Sequence, residues 1–211
     1  MRDARTILAD QFDDLEQQEH AATTGMWVFI ATEVLFFGGL FLAYFVFRAS
    51  YPREFAIGGE RSNLFLGTIN TGVLLSSSFT MALAVQFGHA GLLKRVPSLL
   101  IVTILFGVAF LAIKGLEYHQ HFSDHLFPGR LFQTDLPKQT QLFFWLYFVM
   151  TGLHALHVFI GICILSVIAF LAHNGYFSER YSNPLKISGL YWHFVDVVWV
   201  FLYPLFYLIH K

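Results

Sequence analysis

The chain has 211 residues, of which 56% are hydrophobic and only 13% charged, and its formal net charge is −1. A soluble domain of this size has about a quarter of its residues charged, so this composition cannot cover a water-facing surface and much of the exterior must meet lipid. No basic field exists to draw in nucleic acid, which excludes that class of partner.

Residues 1–25 hold Asp3, Asp10, Asp13, Asp14, Glu16 and Glu19 against Arg2 and Arg5. This stretch lacks the basic start and apolar core of a secretory signal, so it is expected to be a polar tail retained in the mature chain. Helical character is expected around Leu8, Phe12 and Leu15. The remainder, 26–211, is expected to be a transmembrane domain. A bilayer core about 30 Å thick needs roughly 20 apolar residues in a helix.

Five stretches meet that demand: Met26 to Phe47, Leu64 to Phe87, Val96 to Leu116, Gln141 to Ala172 and Ile187 to Ile209. Pro97 falls in the first turn of the third, where proline is tolerated. The fourth is longer than a span requires and should tilt or project. Pro204 should kink the fifth near its exit. The connections carry Tyr-Pro, Gly-Gly, Phe-Pro-Gly and Asn-Pro, all turn signals, and none is long enough for a second domain. The fold class is therefore all-α, an integral membrane bundle of five transmembrane helices.

Charge does not orient the bundle. With a cytoplasmic amino terminus, Arg2, Arg5, Lys94, Arg95, Arg180 and Lys186 lie inside, while Arg48, Arg53, Arg61, Arg130, Lys138 and Lys211 lie outside. The split is even.

Several ionisable groups stand where hydrocarbon would make them costly. Glu33 lies well inside the first span and must face protein or water, or be protonated. It reads as a proton-active or lipid-headgroup-sensing site, or as a neutral acid bonded to a neighbouring helix. Lys114 and Glu117 are three apart and share a helix face, which suits an intrahelical ion pair; Glu117 can equally reach an adjacent helix. His154 and His157 share a face in the fourth span. Two imidazoles suit haem or copper, but further ligands are wanting, and buried histidines bridging helices account for the same pair.

In the fifth span His193 and Asp196 share a face and are expected to bond to each other. With Glu33, Glu117, His154 and His157 they are expected to form one buried polar network. Trp192 and Trp199 are expected as anchors at the membrane interface. Gly38, Gly39, Gly67, Gly72, Ser76 to Ser78, Gly107, Gly152 and Gly161 are expected to let helices approach closely. The single cysteine, Cys163, is expected to be a small packing residue.

Five ordered motifs carry a resemblance. They are Glu33-Val34-Leu35-Phe36-Phe37, Asn70-Thr71-Gly72-Val73-Leu74-Leu75-Ser76, Glu117-Tyr118, Thr151-Gly152-Leu153-His154-Ala155-Leu156-His157-Val158, and Tyr191-Trp192-His193-Phe194-Val195-Asp196-Val197-Val198-Trp199. In this order they resemble subunit III of the haem-copper oxidases, cytochrome c oxidase above all, over Gly25 to His210.

The resemblance implies a cofactor-free accessory chain of a proton-translocating oxidase that reduces dioxygen in aerobic respiration. Haem and copper would then belong to partner subunits I and II. This chain would stabilise the catalytic subunit, support proton uptake and hold phospholipid, within a larger respiratory supercomplex where one forms. Glu33, His154, His157 and His193 match the family's buried glutamate and motif histidines, with no catalytic role implied. Longer family members have seven spans; this chain is similar to the five-span bacterial form, which implies the bacterial inner membrane, a cytoplasmic amino terminus and an external carboxyl terminus.

Three other readings stand beside this one. The first is the equivalent subunit of a quinol oxidase or of a nitric-oxide-reductase-associated homologue. The second is a small transporter or proton channel, and the third a haem-binding membrane enzyme.

Overall fold

The computed structural model describes residues 10–129, 132, 135–177 and 183–208. Arg2, Asp3, Arg5, Leu8, Arg130, Arg180, Ile209, His210 and Lys211, used in the readings above, lie outside the described residues.

Among the described residues six α-helices follow one another: α1 Leu15–Ser50, α2 Pro52–Glu60, α3 Leu64–His89, α4 Val96–Ser123, α5 Thr140–His173 and α6 Asn183–Tyr203. Among the described residues there is no strand. Five of the helices are long and apolar enough to cross a membrane, and α2 is not. The protein is a multi-pass membrane protein built as a helical bundle.

α1 starts well before Met26. Asp14 caps it by accepting from the Gln17 amide at 2.7 Å, and the Gln17 side chain accepts from the Asp13 amide at 2.8 Å. This reciprocal arrangement satisfies two otherwise orphaned donors and lets the polar segment 15–25 continue the membrane helix. At 36 residues α1 extends roughly 54 Å, far beyond the hydrocarbon thickness.

The connection Arg48 to Asn63 is more than a loop. Tyr51-Pro52, read as a breaker, opens α2 with proline in its first turn, where the missing amide is no loss. Gly58, from the Gly-Gly pair read as a turn, is buried inside α2, where a Cβ would run into the ring of Phe143 on α5. Pro184 likewise stands in the first turn of α6.

α6 is the axis of the bundle. In its most apolar stretch 61% of residues are buried, against 11% in α1. α3 and α5 pack along it, α4 reaches it through side chains such as Phe110 against Trp199, and α1 leans on α5 and α6 through a narrow stripe. That stripe is aromatic: Phe37 meets Phe194 with ring centroids 6.4 Å apart, and Phe41 meets Phe201 at 6.1 Å. Beyond Tyr203 the helix widens into a π-helical turn, Pro204–Leu208. Proline lacks the amide an α-helix needs there, and the change of helix type begins at Pro204.

Trp192 and Trp199 are corrected by the structure. Both are 1% exposed, enclosed by neighbouring helices, so neither ring is presented to the exterior as an anchor would be. An indole N–H in hydrocarbon needs a partner, and α3 supplies one to each: Trp192 donates to Ser77 and Trp199 to Thr71, both at 3.0 Å. Room for Trp192 comes from Gly107 and Gly161, where an added Cβ would sit 2.9 Å from its ring. Gly38, Gly39 and Gly72, by contrast, have open space where a side chain would stand, so they bring no helices together. Cys163 is exposed on the outside of α5 and does not fill the interior.

Candidate functional site: the polar interior of the bundle

The polar side chains inside the bundle fall into separate groups, each joining particular helices. The largest is built on Lys114 of α4. Its ammonium group donates to Glu117 Oε2 at 2.9 Å and to the hydroxyls of Tyr147 and Tyr207 at 3.0 Å each. Tyr207 in turn donates to Glu117 Oε1 at 2.6 Å. All three ammonium protons and both carboxylate oxygens are therefore engaged.

Lys114 and Glu117 are 3% and 0% exposed. Aromatic faces complete the enclosure, with the nitrogen 4.9 Å from the Tyr147 ring centre and 5.2 Å from that of Trp199. The intrahelical pair expected from i, i+3 spacing is present, and the neighbouring helices close over it. Tyr118 adds a contact of 2.6 Å to Thr151.

Glu33 and His157 form a second group across α1 and α5. His157 Nε2 lies 3.2 Å from Glu33 Oε2, an ion-pair distance at an angle outside the hydrogen-bonding range. The other ring nitrogen, Nδ1, is 2.8 Å from the carbonyl of Leu153. A carbonyl only accepts, so Nδ1 carries a hydrogen. In the neutral ring Nε2 is then a lone pair facing a carboxyl oxygen, which is repulsive unless a proton lies between them. Tyr191 of α6 steadies this corner by donating to the His157 carbonyl at 3.0 Å.

A third group corrects the pairing expected within α6. His193 Nδ1 is 2.9 Å from the hydroxyl of Ser78 on α3, and it is not bonded to Asp196. Neither oxygen of Asp196 has a hydrogen-bonding partner among the described residues, although Ser78 is the hydroxyl that bears on its carboxyl. The i, i+3 spacing puts both side chains on one face, but the imidazole turns to α3, which offers it a hydroxyl. Ser77 and Ser78 were legible only as small residues.

His154 stands apart. It is 1% exposed, and neither ring nitrogen has a hydrogen-bonding partner among the described residues. Its ring stacks on Trp199 with centroids 5.2 Å apart and meets Phe110 edge-on at 5.5 Å. His154 and His157 thus serve different neighbours despite their shared motif. Among the described residues no three His, Cys, Asp or Glu side chains converge as a metal site would require.

The six residues singled out are therefore distributed over four places and not joined by direct hydrogen bonds. Sequence reading missed Tyr147, Tyr207, Thr71, Ser77 and Ser78. The one available signal was the density of hydroxyl residues in α3, which in a membrane helix pays for itself only by bonding across helices.

Residues 15–210 match the family described as cytochrome c oxidase subunit III. The chain belongs to that family. Subunit III relatives include a cytochrome c oxidase subunit 3 of Thermostichus vulcanus, 33% identical over 192 residues that make up 89% of this chain and 87% of the relative. A quinol oxidase subunit 3 of Bacillus subtilis is 34% identical over 185 residues, 87% of this chain and 85% of the relative. The cytochrome c oxidase subunit 3 of Oryctolagus cuniculus is 31% identical over 187 residues, which cover 85% of this chain but 66% of the longer rabbit protein. All five motifs noted above fall inside the matched span, as do both helices that carry the Glu33–His157 contact.

Proposed function

We propose that this subunit III is an accessory chain of a bacterial haem-copper terminal oxidase of the cytochrome c-oxidising kind, seated in the plasma membrane with its amino terminus in the cytoplasm. Its partners are the catalytic subunit I, subunit II and phospholipid; haem and copper stay with those partners. Its work is to hold the catalytic subunit in shape, to retain lipid and to support proton uptake.

One observation carries the proton part of this reading. The Glu33 carboxyl and the His157 ring nitrogen face each other at 3.2 Å at the contact between α1 and the rest of the bundle, where their side chains are 19% and 14% exposed. A proton at this contact, neither sealed in nor fully solvated, can exchange with water or a headgroup reaching that edge. The Lys114–Glu117 group, sealed and saturated, suits structure instead.

The test is purification of the complex from native membranes carrying Glu33→Gln or Glu33→Leu. Glu33→Gln should assemble normally, because the amide keeps shape and a donor for His157, but it carries no exchangeable acid proton and should also shorten the number of turnovers before inactivation. Glu33→Leu should shorten the number of turnovers before inactivation while leaving the haem spectrum unchanged. Equal lifetimes for both variants and the native complex would defeat the proton-support reading.

A quinol-oxidising complex is the second reading, favoured by the Bacillus relatives standing at the same level of identity as the cytochrome c oxidase ones. A dinuclear copper centre in the co-purified subunit II decides between them. Transport by the purified chain alone in liposomes would support a channel and count against both.

A further inference from the structure

The π-helical turn Pro204–Leu208 that ends the bundle's central helix buries Leu205, Phe206 and Tyr207 in succession. A helix packed along one face returns an exposed position within every turn, so three buried residues in a row need neighbours on several sides. Each of the three has its own. The Leu205 carbonyl accepts from the Tyr44 hydroxyl of α1 at 2.6 Å. The Phe206 ring stands edge-on to Tyr147 of α5 and to Tyr44, with centroids 5.3 Å away in both cases. The Tyr207 hydroxyl belongs to the Lys114–Glu117 group of α4.

The hydrogen bonds on both sides of the turn have fixed directions. A guanidinium only donates and a carbonyl only accepts, so Tyr44, which accepts from Arg48 at 3.2 Å, points its single hydroxyl hydrogen at Leu205. Tyr207 is equally committed, donating to Glu117 and accepting from Lys114. Its ring has no room on the side of α3, where a Cβ added at Gly67 would lie 2.8 Å from it. One residue separates the Leu205 carbonyl from Tyr207, so the backbone that places the hydroxyl also places the carbonyl.

We propose that this turn is a latch coupling α1 to the Lys114 group. While Lys114 and Glu117 hold Tyr207, the Leu205 carbonyl stays within reach of Tyr44; disturbing the group releases the second half of α1. Such a coupling is a free energy shared by two contacts, so it acts in both directions. It involves neither Glu33 nor His157, and it stands or falls without the oxidase reading.

The experiment is hydrogen exchange, read by mass spectrometry, on the assembled complex in mild detergent with one hydroxyl removed at a time. Tyr44→Phe should speed exchange over 40–50 roughly fivefold, as loss of one buried hydrogen bond does. Tyr207→Phe removes a hydroxyl bonded to α4 and close to that of Tyr147 on α5, yet it should speed the same segment of α1. The double variant should be no faster there than the faster single one, because one latch opens once. In the other direction, Tyr44→Phe should speed exchange at 205–208, and this arm decides the matter even where Tyr207→Phe fails to assemble. Ser77→Ala, which removes the partner of Trp192, should leave 40–50 at the native rate.

Native rates over 40–50 in Tyr207→Phe would overturn the proposal, as would native rates at 205–208 in Tyr44→Phe. Rates that multiply in the double variant would show two independent contacts. An effect of Ser77→Ala as large as that of Tyr207→Phe would show a general loosening of the bundle. Either result overturns the latch as well.

Discussion

At the scale of single residues, the interior of this bundle separates groups that are finished from groups that can still exchange. Lys114 and Glu117 belong to the first kind. Burying two charges is expensive, and here every donor and acceptor is matched by the partner charge or by Tyr147 and Tyr207. Removing one partner strands the other. Lys114→Met should therefore destabilise the folded chain by about 3–5 kcal/mol, whereas Lys114→Met combined with Glu117→Leu should recover much of that loss. Thermal melting of the complex in detergent measures both; additive losses would mean that the two residues do not act as a pair.

His193 and Asp196 give a second prediction at this scale. Because the imidazole bonds Ser78, Ser78→Ala should free it, at a loss of about 1 kcal/mol. Asp196→Asn should leave the His193 contact undisturbed. Chemical-shift or infrared signals of the ring in the two variants would distinguish them, and a shift only in Asp196→Asn would restore the pairing first expected from spacing.

At the scale of elements, helices in lipid gain no hydrophobic drive from meeting one another, so close packing and hydrogen bonds must hold them. α3 and α6 show both. Ser77, Thr71 and Ser78 reach Trp192, Trp199 and His193, while Thr68 lies 2.7 Å from the hydroxyl of Tyr203. α4 and α5 contribute close approach through Gly107 and Gly161, which clasp the Trp192 ring from two sides.

A side chain at Gly161 would press on that ring and on Tyr191, with no flexible end to give way. Gly161→Val should destabilise by about 1–3 kcal/mol through overpacking. Gly39→Ala, on the open face of α1, should be neutral or stabilising by up to about 1 kcal/mol, since alanine is the better helix former. Melting temperatures of the two variants should move in opposite directions or differ plainly in size.

α2 makes a similar point outside the spans. Its short helix lies against α5 through Gly58, and Phe55 meets Phe143 with ring centroids 5.7 Å apart. Nothing in the composition of Arg48 to Asn63 distinguishes a packed helix from a loop, because its anchor residues become apolar contacts only when α5 is beside them.

At the scale of the molecule, α1 is the loosely held element. It touches the bundle along one stripe, and the rest of its surface, including Leu35 at 77% exposure, is uncovered. The contact with the bundle includes the Glu33–His157 pair, so events at that pair bear on how firmly α1 is held. Glu33→Leu removes the partner of His157 Nε2, with an expected loss of about 1–3 kcal/mol. The effect should concentrate in α1, seen as faster hydrogen exchange around 26–44 with α4 and α6 unchanged.

Length and hydropathy alone determined that five helices are long and apolar enough to cross a membrane, roughly where the last four begin, and that ionisable groups stand within α1, α4, α5 and α6. The ordered motifs carried the family. Those properties are legible because each depends on the local run of residues: a span needs only its own apolar length, and a proline acts on its own turn. Which polar groups meet was decided by the tertiary structure. Spacing along one helix places two side chains on a face, but it says nothing of what the neighbouring helix offers. His193 turned to Ser78, both tryptophans to α3, and Lys114 to tyrosines from α5 and from a π-helical turn, because in hydrocarbon a polar atom takes the nearest partner from any helix packed beside it.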